Sequence, residues 1–158
     1  MDVELATFAG GCFWGVQEFF DEIAGVVKTT VGYTGGHTKN PTYKEVCSDE
    51  TGHAEAIQIE FDPKIISFEA LLNLFWEVHD PTTLNRQGPD YGTQYRSAIF
   101  YHSKAQNELA LKSKAALERS GKYSRPIVTE VVEASEFYPA EDYHQKYSVK
   151  SGHSCRIR

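Results

Sequence analysis

The residue best placed for chemistry is Cys12, in the run Gly10-Gly11-Cys12-Phe13-Trp14-Gly15. Two glycines before it let the chain turn tightly and let a ligand approach closely. The apolar pattern opens a helix at the same point, and a helix N-terminus draws a thiol towards its thiolate, the nucleophilic form. A buried, inert thiol is the other reading of the position. Phe13 and Trp14 read equally as core residues or as walls of an apolar slot beside the sulfur. Glu55 shares the odd-numbered parity of Ile57, Ile59 and Phe61, so an extended strand turns it to the apolar face. Desolvation there keeps a carboxyl protonated near neutrality and makes it a proton donor. A strand beginning at Ala56 would instead leave Glu55 solvated in the turn at Gly52. A third concentration is Gly88-Pro89-Asp90-Tyr91-Gly92-Thr93-Gln94-Tyr95-Arg96-Ser97. Gly, Pro and Asp are ordinary turn residues, but Tyr91, Tyr95 and Arg96 supply more directed donors than a turn requires. The six histidines form no i, i+4 pair and no Cys-x-x-Cys occurs, which argues against a zinc site. The glycine pairs match neither dinucleotide-binding nor P-loop spacing. Cys47, four residues after Tyr43, reads as a small packing residue.

The elements that must position these groups follow from periodicity. Glu4–Ala9 reads as a strand ending at Gly10-Gly11. Val16, Phe19, Phe20 and Ile23 keep helical spacing, closed by Gly25, and Val26–Tyr33 is a second strand. An irregular segment runs through Gly52. His53–Phe61 alternates as a strand, and Ser67 caps a helix carrying Phe68, Leu71, Leu72 and Phe75. Residues 80–94 read as a long polar loop, a length usually reserved for function. Ser97–His102 is a strand, Ser103 and Gln106 form a capping box for a helix ending near Gly121, and Ile127–Val132 is a further strand. Ala140–Tyr147 reads as a last helical turn or two, and the polar tail after it is expected to be mobile. The fold class is α+β, a two-layer sandwich of helices on a mixed sheet, with the βαββαβ order of a ferredoxin-like core plus irregular loops. A single catalytic domain spans 1–147, followed by a tail at 148–158.

The 158 residues, 41% hydrophobic, are ordinary globular usage and exclude disordered and fibrous classes. Sixteen Lys and Arg against 22 Asp and Glu give a net charge of −6, without a basic block, which argues against nucleic acid or a membrane surface as partner. No apolar run approaches the roughly 20 residues of a spanning helix, and no secretory leader is visible at Met1-Asp2-Val3-Glu4. Three cysteines are a poor disulfide framework, so the expected setting is a reducing cytoplasm.

Taken together, Gly10–Gly15, Gly52-His53-Ala54-Glu55-Ala56 and Gly88–Ser97, with Tyr33-Thr34-Gly35-Gly36 and Asn40-Pro41-Thr42-Tyr43, resemble the A class of peptide methionine sulfoxide reductases. The resemblance runs from about Ala6 to Tyr147. It implies an α/β sandwich around a mixed sheet and reduction of the S epimer of methionine sulfoxide, free or in a peptide. It implies Cys12 as nucleophile, Phe13 and Trp14 as the pocket for the substrate's S-methyl group, and Glu55 as the acid that protonates the sulfoxide oxygen. Tyr43 and Tyr95 then bind that oxygen and Asp90 supports the site. The residue types suit the chemistry, because a sulfoxide sulfur becomes electrophilic only when its oxygen is protonated or tightly hydrogen-bonded. The product is a sulfenic acid on Cys12, which condenses with another thiol. No bound cofactor and no metal are expected, and the resemblance implies thioredoxin, or dithiothreitol in its place, as external reductant; the expected enzyme is a monomer acting on oxidised proteins. For recycling, Cys155 in the polar tail is expected to resolve the sulfenic acid, since closing a long loop costs little extra; Cys47 is the alternative. Two other functions fit the residues: a thiol hydrolase pairing Cys12 with His79 or His144, and a peptide-binding module without catalysis.

Overall fold

A computed structural model of the chain describes residues 3–48, 50–141 and 144–145. In chain order the elements are β1 (Glu4–Gly10), α1 (Phe13–Asp21), β2 (Val26–Thr34), α2 (Tyr43–Cys47), β3 (Ala54–Phe61), α3 (Phe68–Val78), β4 (Arg86–Gln87), β5 (Asp90–Tyr91), a 3-10 turn (Thr93–Tyr95), β6 (Ser97–Tyr101), α4 (Lys104–Arg119), β7 (Glu130–Glu133) and β8 (Phe137–Pro139). Six strands make one mixed sheet in the order β7-β6-β1-β3-β2-β8. Its neighbours are antiparallel except β6 and β7. Strands β4 and β5 form a separate hairpin. The fold is α+β, a mixed six-stranded sheet with four helices.

The alternation in β3 sends Ile57, Ile59 and Phe61 to one face, where they join Phe8 of β1, Phe20 of α1 and Leu71, Leu72 and Phe75 of α3 in the main core. Phe8 and Phe75 stack with ring centroids 4.8 Å apart. Burying side chains of this size contributes roughly 1.5–3 kcal/mol each. The opposite register of the same strands carries a second cluster of small residues, Ala9, Ala54, Ala56 and Ala98, with Phe100. Both faces of β1 and β3 are therefore covered, and their ends are firm ground for a site.

Several sequence expectations need correction. Helix α1 stops at Asp21, not at Gly25; the chain leaves through turns from Phe20 to Val26, where Gly25 takes φ +98°. The irregular segment before Gly52 contains α2, held by a capping box between Thr42 and Glu45. Residues 80–94 are not plain loop. The Gln87 side chain, buried, accepts from the Asp80 backbone N–H at 2.9 Å and donates to the Asp80 carbonyl at 2.6 Å, knitting the hairpin to the end of α3. Ser103 caps α4 as expected, but Gln106 reaches the His102 N–H and the Leu5 carbonyl, so the box is not closed. The strand expected at Ile127–Val132 begins at Glu130, because the Val128 N–H is taken by the Pro81 carbonyl. Strand β8 was not expected at all. The helical turn expected at Ala140–Tyr147 appears among the described residues as the His144 N–H to Glu141 carbonyl turn. The tail 148–158, expected to be mobile, lies outside the described residues, and Cys155 with it.

Candidate active site

Gly10 closes β1 opposite Ser97. A Cβ at Gly10 would stand 3.1 Å from both the His79 Cγ and a Phe75 ring carbon, so a larger residue there would have to push these rings aside. Gly11 has φ +96°, a conformation that favours glycine. This turn delivers Cys12 as the N-cap of α1, 7% exposed. The first helical N–H, from Phe13, donates to Glu55 Oε1 at 3.3 Å. Glu55 lies within β3, opposite Tyr33 of β2, and is 1% exposed. The strand begins at Ala54, so the solvated reading of Glu55 is overturned and the buried one stands.

Tyr43 and Tyr95 enter from the irregular segments. Burial pushes the Tyr43 hydroxyl far above its usual range, and the Glu55 and Cys47 side chains add to this. Tyr95 is raised in the same direction by burial, then by the charges of Glu55, Asp90, Cys47 and Cys12. These mutual influences put Cys12, Glu55, Tyr43, Tyr95, Asp90 and Cys47 in one electrostatic neighbourhood. Both phenols are therefore fixed as neutral hydroxyl donors. Asp90, on β5, is raised by burial. Arg96 anchors Tyr95 by donating to the Thr93 carbonyl and to Glu130 of β7, each at 2.9 Å. Cys47 ends α2 and is exposed. Burial pushes its thiol up, hydrogen bonds with the Tyr43 and Gln94 side chains oppose this, and the Glu55 charge adds to it.

The wall opposite the loops is aromatic. Phe13 is buried, with its ring 6.4 Å from that of Trp14 and 5.7 Å from that of Tyr33. The Trp14 indole N–H donates to His144 Nδ1 at 3.0 Å, and the His144 ring lies 4.3 Å from that of Tyr43. Burial pushes the His144 imidazole down, against the charge of Glu141, so the ring is held neutral. With Nδ1 accepting, its proton sits on Nε2. Glu141 accepts from the Tyr33 hydroxyl and the Tyr43 N–H, and Gln145 brackets the backbone of Val31. Sequence reasoning named His144 only as a possible base and missed Glu141 and Gln145, whose partners lie about a hundred residues away with no periodic signal.

His79 does not fit the hydrolase alternative. The Phe75 carbonyl can only accept, so His79 Nδ1 donates to it at 2.8 Å, and Nε2 is engaged by Ser97 Oγ at 2.7 Å. Burial lowers the imidazole to about 4, against the Phe75 carbonyl and Asp80, so it is neutral with both nitrogens used. Among the described residues, no group of three or more His, Cys, Asp or Glu could hold a metal ion, and no helix is long and apolar enough to cross a membrane.

The family model for peptide methionine sulfoxide reductase matches residues 4–158. This chain belongs to the peptide methionine sulfoxide reductase family, A class. The Methanosarcina mazei peptide methionine sulfoxide reductase MsrA is 61% identical over 150 residues, covering 95% of this chain and 71% of that protein. Among solved structures, Mxr1 from Saccharomyces cerevisiae in reduced form superposes with a TM-score of 0.90 at 38% identity, covering 95% of this chain and 86% of that one. The same yeast protein in complex with Trx2 matches with a TM-score of 0.67 at 27% identity, over 98% of this chain and 87% of that one. In a family of reductases, a thiol at a helix N-cap beside a buried carboxyl is the arrangement to explain.

Proposed function

We propose that this chain reduces methionine-S-sulfoxide, free or in proteins, to methionine with Cys12 as nucleophile and Glu55 as acid. The observation that carries this reading is the Phe13 N–H to Glu55 bond, which sets the buried carboxyl against the backbone one residue after the N-cap Cys12. The helix N-terminus favours the Cys12 thiolate, and burial favours the protonated form of a carboxyl. The thiolate attacks the sulfoxide sulfur while Glu55 delivers a proton to the oxygen, with Tyr43 and Tyr95 donating to that oxygen and Asp90 supporting them. The oxygen passes to the Cys12 sulfur, leaving a sulfenic acid, and methionine departs as the thioether. Phe13 and Trp14 hold the S-methyl group, so that the sulfur faces the thiolate.

Cys155 then condenses with the sulfenic acid, releasing water and forming a Cys12–Cys155 disulfide. A thioredoxin dithiol, or dithiothreitol, takes over that disulfide and restores both thiols. The yeast relative's complex with Trx2 supports this partner. Cys155 follows Gln145 by ten residues, a stretch of chain that reaches at most roughly 33–36 Å. Cys47 is the alternative resolver, being in the same electrostatic neighbourhood. The reading extends to a monomer in a reducing cytoplasm, with a catalytic domain at 1–147, a tail at 148–158 and a ferredoxin-like core in β6-β1-β3-β2.

Mass spectrometry after one equivalent of substrate, without reductant, tests the scheme. The expected product is a Cys12–Cys155 linkage. The Cys155→Ser variant should still reduce one equivalent per enzyme, accumulate sulfenic acid and lose most thioredoxin-supported turnover. A Cys12–Cys47 linkage would move the resolving role to Cys47.

A further inference from the structure

Glu141 touches two parts of the site at once. Its Oε1 accepts from the Tyr33 hydroxyl at 2.9 Å and its Oε2 accepts from the Tyr43 backbone N–H at 3.0 Å. Tyr33 is fully buried on β2, directly across the sheet from Glu55. Tyr43 opens α2, whose remaining first-turn bonds are internal: Thr42 Oγ1 accepts from the Glu45 N–H, and Glu45 accepts from the Thr42 N–H. A helix of five residues is far below the length that is stable alone, so outside contacts must decide where it stands. Burial pushes the Glu141 carboxyl up, but the bonds from Tyr43 and Tyr33 outweigh it and hold the group below its usual range, ionised at neutral pH.

We propose that Glu141 is a positioning residue for the sulfoxide reduction: by bridging the buried Tyr33 hydroxyl to the first N–H of α2, it places the Tyr43 hydroxyl at the substrate oxygen. Its part in the reaction runs through Tyr43, whose backbone N–H it holds. The inference rests on the reading of Tyr43 as an oxygen ligand.

The test is single-turnover reduction of a methionine-S-sulfoxide peptide by Glu141→Gln, Glu141→Ala and Tyr33→Phe, each alone and combined with Tyr43→Phe. Iodoacetamide alkylation of Cys12 serves as a control on the nucleophile. Glu141→Ala, which loses both acceptors, should slow the step about tenfold, and Glu141→Gln, which keeps one, about threefold, as expected for loss of hydrogen bonds in a partly buried site. Alkylation rates should stay at the wild-type value. In the Tyr43→Phe background each of these changes should cost less than about twofold, because there is no hydroxyl left to place. If Glu141→Ala does not fold, Glu141→Gln and Tyr33→Phe carry the same comparison. The proposal is overturned if the Glu141 and Tyr33 variants keep the wild-type rate while Tyr43→Phe is slow. It is overturned equally if their full cost persists in the Tyr43→Phe background. A wild-type rate for Tyr43→Phe alone would refute the oxygen-ligand reading itself, and the positioning role with it.

Discussion

Cys12 and Glu55 stand at the ends of the central strands β1 and β3, almost inaccessible to solvent, whereas Tyr43, Tyr95 and Asp90 stand on a five-residue helix, a 3-10 turn and a two-residue strand, all half-buried. Glu55 is placed by the ladder of sheet hydrogen bonds and Cys12 by the turn between β1 and α1, with core packing behind both. The second is placed by isolated side-chain bonds: Glu141 to Tyr43, Arg96 to Thr93 and Glu130, Gln87 to Asp80. A nucleophile and an acid must meet the reacting sulfur and oxygen at fixed distances, and the sheet supplies that stiffness. In the proposed scheme the hydroxyls that bind the sulfoxide oxygen stand on short elements that only local bonds hold. The proposed scheme thus sets its bond-making groups beside the central strands and its binding groups on segments that local bonds tie down.

The division predicts an order of effects. Cys12→Ser should abolish dithiothreitol-driven reduction of both free and peptide methionine-S-sulfoxide, since an alkoxide cannot reach the sulfenic state; residual turnover above background would break the assignment. Glu55→Gln keeps a hydrogen bond to the oxygen and removes the transferable proton, so the single-turnover rate should fall roughly 10²–10⁴-fold. A rate within a few-fold of wild type would make that carboxyl structural. Tyr95→Phe should cost less, roughly 3–10-fold, because Tyr43 still donates and a single neutral hydrogen bond is worth about 1 kcal/mol. Equal losses for Tyr95→Phe and Glu55→Gln would dissolve the distinction between the two halves.

The smallest effect concerns the foundation of the sheet-borne half. His79 lies beneath Gly10, in a chain of contacts from the Phe75 carbonyl through Ser97 to Thr129. Burial lowers its imidazole from 6.5 to about 4. Between those values the unfolded chain takes up a proton that the folded chain refuses. The stability contributed by the neutral ring is therefore fully present above about pH 6.5 and is lost as pH falls towards 4. His79→Gln can keep a donor and an acceptor without titrating, so its urea midpoint should decline less over that window than wild type. Parallel declines would assign the acid sensitivity to other groups.

How much of this is legible in the sequence follows from the same division. β3, α1 and α3 gather their large apolar side chains on one face, and this writes a period of 2 or 3.6 that Ile57, Ile59 and Phe61 or Leu71, Leu72 and Phe75 display openly. Glu55 was readable because it falls in step with that period. Helix α2 is too short to show one, although Thr42 and Glu45 carry a capping-box spacing that marks its start. β7 and β8 lie at the sheet edges, where alternation is weak. The contacts of Glu141, His144 and Gln145 join residues 98 to 130 positions apart, a separation on which local patterning has no bearing. The family resemblance supplied the roles of Tyr43, Tyr95 and Asp90; spacing alone marked Tyr95 as a directed donor in a turn-rich run and gave Tyr43 and Asp90 no role.

The bond from Trp14 to His144 gives the protein a built-in optical reporter. The chain has two tryptophans, and Trp76 is occupied elsewhere, donating to Ser113 of α4 at 2.8 Å. In a Trp76→Phe protein the only indole emission would come from the candidate substrate pocket, from a ring 5.5 Å from an imidazole and two residues from Cys12. In the proposed scheme, substrate binding and oxidation of Cys12 both change the surroundings of that ring. Binding and chemistry could then be followed as separate phases of intrinsic fluorescence in a stopped-flow trace, without a label or a coupled reductant.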